Sequence, residues 1–118
     1  MGTFNVQIEV GDPQGRRFES FDARVDTGAT YTVLPASVLR RLGVEAHRSS
    51  PFELADGRTA ERQMGRTWVR LDGERELTLV VFGDEATVPI LGAVTLEEFL
   101  LAVDPVHQRL VRVPALLK

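Results

Sequence analysis

The sequence predicts a mostly β domain of seven to nine short strands with two short helices, and three observations carry that expectation. Apolar and polar residues alternate in short runs, as in Phe4, Val6, Ile8 and Val10 against Asn5, Gln7 and Glu9. Turn chemistry punctuates the runs, at Gly11-Asp12-Pro13-Gln14-Gly15, Asp56-Gly57, Asp72-Gly73 and Gly83-Asp84. The length of 118 residues with 43% hydrophobic content supplies one core and is too short for two ordinary domains, so a single domain over 1–118 is expected.

Each element follows from its residues. Phe4 to Val10 reads as a half-buried strand entering a hairpin, and its return carries Phe21, Ala23 and Val25 on one face. Phe18 falls out of phase, so burying all four apolar residues predicts a bulge near Glu19-Ser20. After the tight segment Asp26-Thr27-Gly28-Ala29, the β-branched run Thr30 to Leu34 predicts a strand ending before Pro35. Val38, Leu39 and Leu42 share a helical face, with Gly43 placed for a left-handed helix end. Phe52 to Ala55, a two-residue Asp56-Gly57 turn and a long return through Trp68, Val69 and Leu71 form a hairpin. Asp72-Gly73 turns the chain into Leu77, Leu79 and Val81, and Val88 to Gly92 is a further apolar run. Thr95-Leu96-Glu97-Glu98 predicts a helix beginning with a capping box, stapled by Val94 and Phe99 and ending near Ala102 because Pro105 disfavours helix at Asp104. Leu110 to Val113 closes the chain as a strand before Pro114.

Composition excludes several function classes. Fourteen Lys plus Arg against seventeen Asp plus Glu give a net charge of -3, which lacks the electrostatic footprint of a nucleic-acid binder. No apolar stretch approaches the roughly 18 residues of a membrane span. The opening Met1-Gly2-Thr3-Phe4-Asn5-Val6 has no basic segment leading into a long apolar one, so the cytoplasm is the expected location. The absence of cysteine removes disulfides, thiolate metal sites and a cysteine nucleophile. His47 and His107, far apart in the chain, offer little for a zinc site or a Ser-His-Asp triad and read as surface residues. Carboxylate chemistry leads by elimination. Its best carrier is Ala23-Arg24-Val25-Asp26-Thr27-Gly28-Ala29-Thr30, an apolar strand that delivers Asp26 into a turn of small residues, where the Gly28 amide can reach a carboxylate oxygen.

Three parts of the chain, in order, resemble the retropepsin-like aspartic proteases. These are Val25-Asp26-Thr27-Gly28-Ala29, the hairpin Phe52 to Gly65 around Asp56-Gly57, and Ile90-Leu91-Gly92 leading into a late helix. The resemblance implies an all-β, closed, barrel-like acid-protease fold with a short helix near the C-terminus and room for a second after the active-site strands. It implies a homodimeric aspartic endopeptidase in which Asp26 and its copy, Asp26', activate a water molecule on the two-fold axis. Thr27 would brace the loop across the dimer, Gly28 would shape it, and Ala29 would begin the substrate-facing side. Leu54, Ala55, Asp56, Gly57 and Arg58 would form the tip of a substrate-covering flap, more polar than the glycine-rich viral tips. Ile90, Leu91 and Gly92 would support the loop or line subsites. The family's partners are a second copy and a peptide or protein substrate, with no metal or organic cofactor, and Phe4 to Val10 and Leu110 to Val113 are candidates for interleaving terminal strands.

Blander readings stand beside these. Asp-Thr-Gly occurs as an ordinary turn, and Asp26 to Thr30 also fits the Asp-x-Gly-x-Thr phosphate loop of actin-like and sugar kinases, a fold several times longer than this chain. Trp68 and Tyr31 read as core or half-buried aromatics, Glu97 and Glu98 as first-turn helix residues, and Arg62, Arg66 and Arg70 as solvated charges. On the same fold, a catalytically silent dimeric peptide-binding or scaffolding module is the alternative function.

Overall fold

The computed structural model describes residues 3–117; the first two positions and the last, part of the expected span 1–118 and of the N-terminal reading, lie outside the described residues. Strand β1 (Phe4–Gly11) pairs antiparallel with β2 (Phe18–Val25) in an unbroken register from Phe4↔Val25 to Gly11↔Phe18. Alternation sends Ile8, Val10, Ala23 and Val25 into the core. The bulge expected near Glu19-Ser20 is therefore absent. Phe18 stays in strand phase and uses the opposite face, where the Arg70 guanidinium lies 3.7 Å from its ring centroid and that of Arg75 lies 5.5 Å away. Stacked cations cover the ring there, so the ladder need not be interrupted to bury it.

Strand β3 (Thr32–Pro35) starts two residues later than the β-branched run suggests, because Ala29 and Thr30 belong to the loop that follows β2. Helix α1 (Ala36–Arg41) buries Val38 and Leu39 and ends at Gly43, whose φ of +81° is the left-handed conformation that closes a helix. Strands β4 (Ala46–Glu53) and β5 (Thr59–Leu71) form the long hairpin. Its tip is not a two-residue turn. The Gly57 N–H donates to the Leu54 carbonyl and the Leu54 N–H to the Arg58 carbonyl, so a turn plus a left-handed Gly57 (φ +87°) gives a three-residue loop. Asp72 (φ +55°) and Gly73 (φ +79°) do make a two-residue turn, joining β5 to β6 (Glu74–Gly83) with Leu71 opposite Glu74.

The remaining elements are β7 (Ile90–Leu91), α2 (Ala93–Glu98), β8 (Leu101–Asp104) and β9 (Arg109–Arg112). Here the capping-box reading fails. Helix α2 begins two residues before Thr95 with Gly92 at its cap and no side-chain cap; Thr95 is fully buried, and Glu97 and Glu98 close the helix instead of opening it. Leu100 turns the chain at φ +56° and Leu101 already belongs to β8, so the helix stops short of Ala102. Tertiary partners took over the capping: the first-turn amides of α2 donate to loop carbonyls of Ala29 and Thr30.

Seven strands lie in the order β1-β2-β7-β3-β6-β5-β4, and β1 also meets β5 at Glu9↔Arg70 and Val10↔Val69. The pairings thus run round a ring of six strands with β4 outside it, while β8 and β9 form a separate two-stranded sheet. The ring encloses a core that includes Leu34, Leu39, Val69, Val80 and Leu91. Residues Thr78 to Gly83 of β6 are buried on both faces, since Leu79 and Val81 join Met64 in a second cluster under the hairpin. Both segments expected to interleave in a dimer are paired within the chain, β1 to β2 and β9 to β8. Among the described residues no helix is long and apolar enough to cross a membrane.

Candidate active site

Asp26 sits where β2 leaves the ring. Val25 is anchored in the core and paired in parallel with Leu91, and the Asp26 N–H donates to the Leu91 carbonyl at 3.1 Å. Beyond it the chain turns at once: the Ala29 N–H donates to the Asp26 carbonyl at 3.1 Å and the Gly28 N–H to the Asp26 carboxylate at 2.9 Å. A side chain on Gly28 would start 3.2 Å from that carboxylate oxygen, closer than most carbon contacts, so glycine keeps the approach open. Asp26 is half-buried and Thr27 exposed.

The loop is held from behind. Ile90 pairs with both Arg24 of β2 and Val33 of β3, so the Ile90-Leu91-Gly92 segment is wedged between the strands that enter and leave the loop. The Ala93 and Val94 N–H groups then donate to the Ala29 and Thr30 carbonyls, each at 2.9 Å. Gly92 is required at this crossing, because a Cβ there would lie 2.4 Å from the Tyr31 carbonyl carbon.

In front of the loop lies a cleft of about 690 Å³, roofed by the β4–β5 hairpin. Of the residues singled out in the sequence, Asp26, Gly28, Ala29, Leu54, Ala55 and Ile90 line it. Leu91 and Gly92 are buried behind the loop, and Thr27 faces outward. At the hairpin tip, the Asp56 carboxylate accepts from the Arg58 N–H and side chain, an exposed pair that neutralises the tip's two charges.

Sequence reasoning missed most of the cleft wall. Tyr31, Val33, Phe52 and Val81 form its apolar side, with the Tyr31 and Phe52 rings edge to face at 6.2 Å. It also misplaced Arg62, which is not a solvated charge: its side chain is 24% exposed, lines the cleft and pairs with Asp84 at 3.1 Å. The signal was strand parity, since Arg62 shares the inward face of β5 with buried Met64. Nearby, Glu85 accepts from the Ser37 hydroxyl and amide, which holds its carboxyl below the usual range and ties the segment after β6 to α1. Among the described residues no three His, Asp or Glu side chains gather where they could hold a metal ion.

A ring of strands, an Asp-Thr-Gly turn backed by β7 and the Gly92 that follows it, and a hairpin roofing the cleft define a retropepsin-like aspartic protease domain. The chain belongs to the family described as "gag-polyprotein putative aspartyl protease", whose model matches residues 15–98. Solved structures carry the same fold. The retroviral protease-like domain of Ddi1 from Leishmania major is 21% identical with a TM-score of 0.60, over 95% of this chain and 89% of that one. Simian foamy virus (mac) protease is 14% identical with a TM-score of 0.58, over 81% of this chain and 94% of that one. A retropepsin-like aspartic protease from Rickettsia conorii is 18% identical with a TM-score of 0.54, over 88% and 89%. No curated protein sequence matches the chain.

Proposed function

We propose that the chain is a homodimeric aspartic endopeptidase whose active site is completed by Asp26 of each copy. The observation that carries the reading is the presentation of Asp26: of the three carboxylates that line the roofed cleft, Asp84 is paired with Arg62 and Glu53 stands on the hairpin, whereas Asp26 alone sits on the loop backed by β7, next to the outward-facing Thr27. Two such loops meeting across a two-fold axis bring two carboxylates together. Like charges about 3 Å apart cannot both ionise, so the pair shares one proton.

The ionised carboxylate takes a proton from a water molecule as its oxygen attacks the peptide carbonyl carbon, and the protonated one donates to the carbonyl oxygen. Collapse of the tetrahedral intermediate breaks the C–N bond as the amine nitrogen is protonated from the dyad. The Gly28 N–H, donating to Asp26, orients the carboxylate. Thr27 braces the paired loops, and Leu54 to Arg58 form the flap tip that closes over an extended peptide and excludes water. The apolar wall of Tyr31, Val33, Phe52 and Val81 receives a substrate side chain. A partner copy has two features to use: the outer edge of β9, which has no strand neighbour among the described residues, and the exposed apolar residues Val113, Leu116 and Leu117 that follow it in the chain, with Leu100 bonded to Val113.

The test is cleavage of a diverse peptide mixture, read by mass spectrometry from about pH 3 to 7, with wild type and Asp26→Ala in parallel. Products from wild type alone support the protease. Silence from a wild type shown to be a folded dimer overturns it in favour of a peptide-binding module.

A further inference from the structure

Four threonines are fully buried, and three of them, Thr32, Thr78 and Thr95, meet behind the Asp26 loop. Thr32 Oγ1 lies 2.6 Å from Thr95 Oγ1, which lies 3.0 Å from Thr78 Oγ1. At one end, the Gly92 N–H donates to Thr32 Oγ1 at 3.2 Å; at the other, the Thr78 hydroxyl donates to the Glu98 carboxylate at 2.5 Å.

The ends fix the direction of every bond between them. An amide N–H can only donate and a carboxylate can only accept, while each hydroxyl has one hydrogen. The Thr78 hydrogen goes to Glu98, so Thr78 must accept from Thr95. The Thr95 hydrogen is then committed, so Thr95 must accept from Thr32. Hydroxyls aligned head to tail polarise one another, and a buried hydroxyl stripped of its acceptor is costly. The ladder spans β3, α2 and β6, and through Glu98 it returns to α2, fixing that helix against the sheet at two points.

Helix α2 carries the loop. The consecutive amides of Gly92, Ala93 and Val94 donate to Thr32 Oγ1, Ala29 O and Thr30 O, and the Leu91 carbonyl just before them accepts from the Asp26 amide. Leu91 and Gly92 lead directly into α2, so a shift of the helix moves the three bonds that hold the loop at Asp26, Ala29 and Thr30 together with the Gly92–Thr32 bond to β3. We propose that the Thr32–Thr95–Thr78 ladder, polarised by Glu98, is a positioning device that sets the Asp26 carboxylate in register with its copy, and that Glu98 and Thr95 are positioning residues for peptide hydrolysis. The inference rests on the protease reading for its kinetic consequence and on this geometry alone for its structural one.

The experiment compares Thr95→Val, Thr95→Ser, Glu98→Ala and Glu98→Gln with wild type, as intact protein, in steady-state cleavage of a peptide identified as a substrate and in amide hydrogen exchange. Serine keeps the hydroxyl, and glutamine keeps an oxygen able to accept from Thr78. Thr95→Val and Glu98→Ala are expected to lower kcat about tenfold or more with KM little changed, since small misplacements of a catalytic group act on the chemical step. Thr95→Ser and Glu98→Gln are expected to recover most of the loss. Glu98 is exposed, so Glu98→Ala tests the idea even where Thr95→Val folds poorly. Faster exchange at Asp26, Ala29, Gly92, Ala93 and Val94 in Glu98→Ala supports the ladder even where wild type cleaves nothing, an outcome that removes the protease reading alone. Unchanged exchange at these amides in Glu98→Ala, or equal kcat in Glu98→Ala and Glu98→Gln, overturns the proposal.

Discussion

Asp104 shows how much a single side chain can organise at the surface. Its carboxylate accepts from the His107 ring at 2.9 Å, from the Val106 and His107 amides and from Arg109, closing the turn between β8 and β9. The hydrogen bond from His107, and then those from the turn amides and Arg109, hold its carboxyl below the ordinary range. A depressed folded-state value means that the stabilisation is present above the unfolded carboxyl's range and is lost as pH falls through the folded one. Asp104→Asn is therefore expected to be less stable than wild type at neutral pH, with the gap in urea midpoint narrowing in acid; a gap independent of pH would contradict this account. In the core, Leu39 is fully buried, and Leu39→Ala is expected to cost about 2–5 kcal/mol in denaturant unfolding. At this scale the sequence was most legible where a residue acts through its neighbours in the chain. Asp26 to Ala29 and Gly43 could be read from local turn chemistry, whereas Arg62 and the buried threonines take their meaning from strands far away in sequence.

Elements are positioned by where their backbone groups find partners. The tip of the β4–β5 hairpin depends on Gly57 at φ +87°, where an added Cβ would have nothing within 4 Å, so Gly57→Ala meets no clash and costs only the left-handed conformation, about 1–2 kcal/mol. It is expected to lower the thermal midpoint by several degrees and, on the protease reading proposed above, to raise KM for a peptide substrate. Gly92 is the opposite case. Its added Cβ would meet the backbone of Tyr31 and Thr32, at 2.4 Å and 2.9 Å, and backbone there cannot yield without displacing β3. Gly92→Ala is expected to destabilise the fold by about 3 kcal/mol or more, at or beyond the upper end of ordinary overpacking, measured by urea unfolding. Element types were mostly readable because strand alternation and the turn signals at Asp56-Gly57 and Asp72-Gly73 are local. The start of α2 was not. Thr95 and Glu98 satisfy the capping-box spacing, but Thr95 is claimed by Thr32 and Thr78, and the amides that a cap would serve are claimed by the Asp26 loop.

Across the whole molecule, the six-strand ring leaves the cleft with one Asp-Thr-Gly loop and one roof, half of what the proposed chemistry requires. Activity per chain is therefore expected to fall on dilution in step with the dimer fraction measured by sedimentation; activity that persists per chain in a monomeric sample would sink the shared-dyad mechanism. The sequence by itself determined the strand-rich character, the Asp26-Thr27-Gly28-Ala29 turn and the order of that turn, the hairpin and Ile90-Leu91-Gly92, because alternation, turn propensity and glycine's freedom act over a few residues. Tertiary structure alone decided that β7 enters between β2 and β3, that the ring closes through Glu9↔Arg70 and Val10↔Val69, and that Tyr31, Phe52 and Val81 share one wall. It also decided that three threonines scattered from Thr32 to Thr95 join in one ladder. Those pairings are long-range: their partners are chosen by burial and by the need to satisfy every enclosed polar group, neither of which is written in any local stretch of chain.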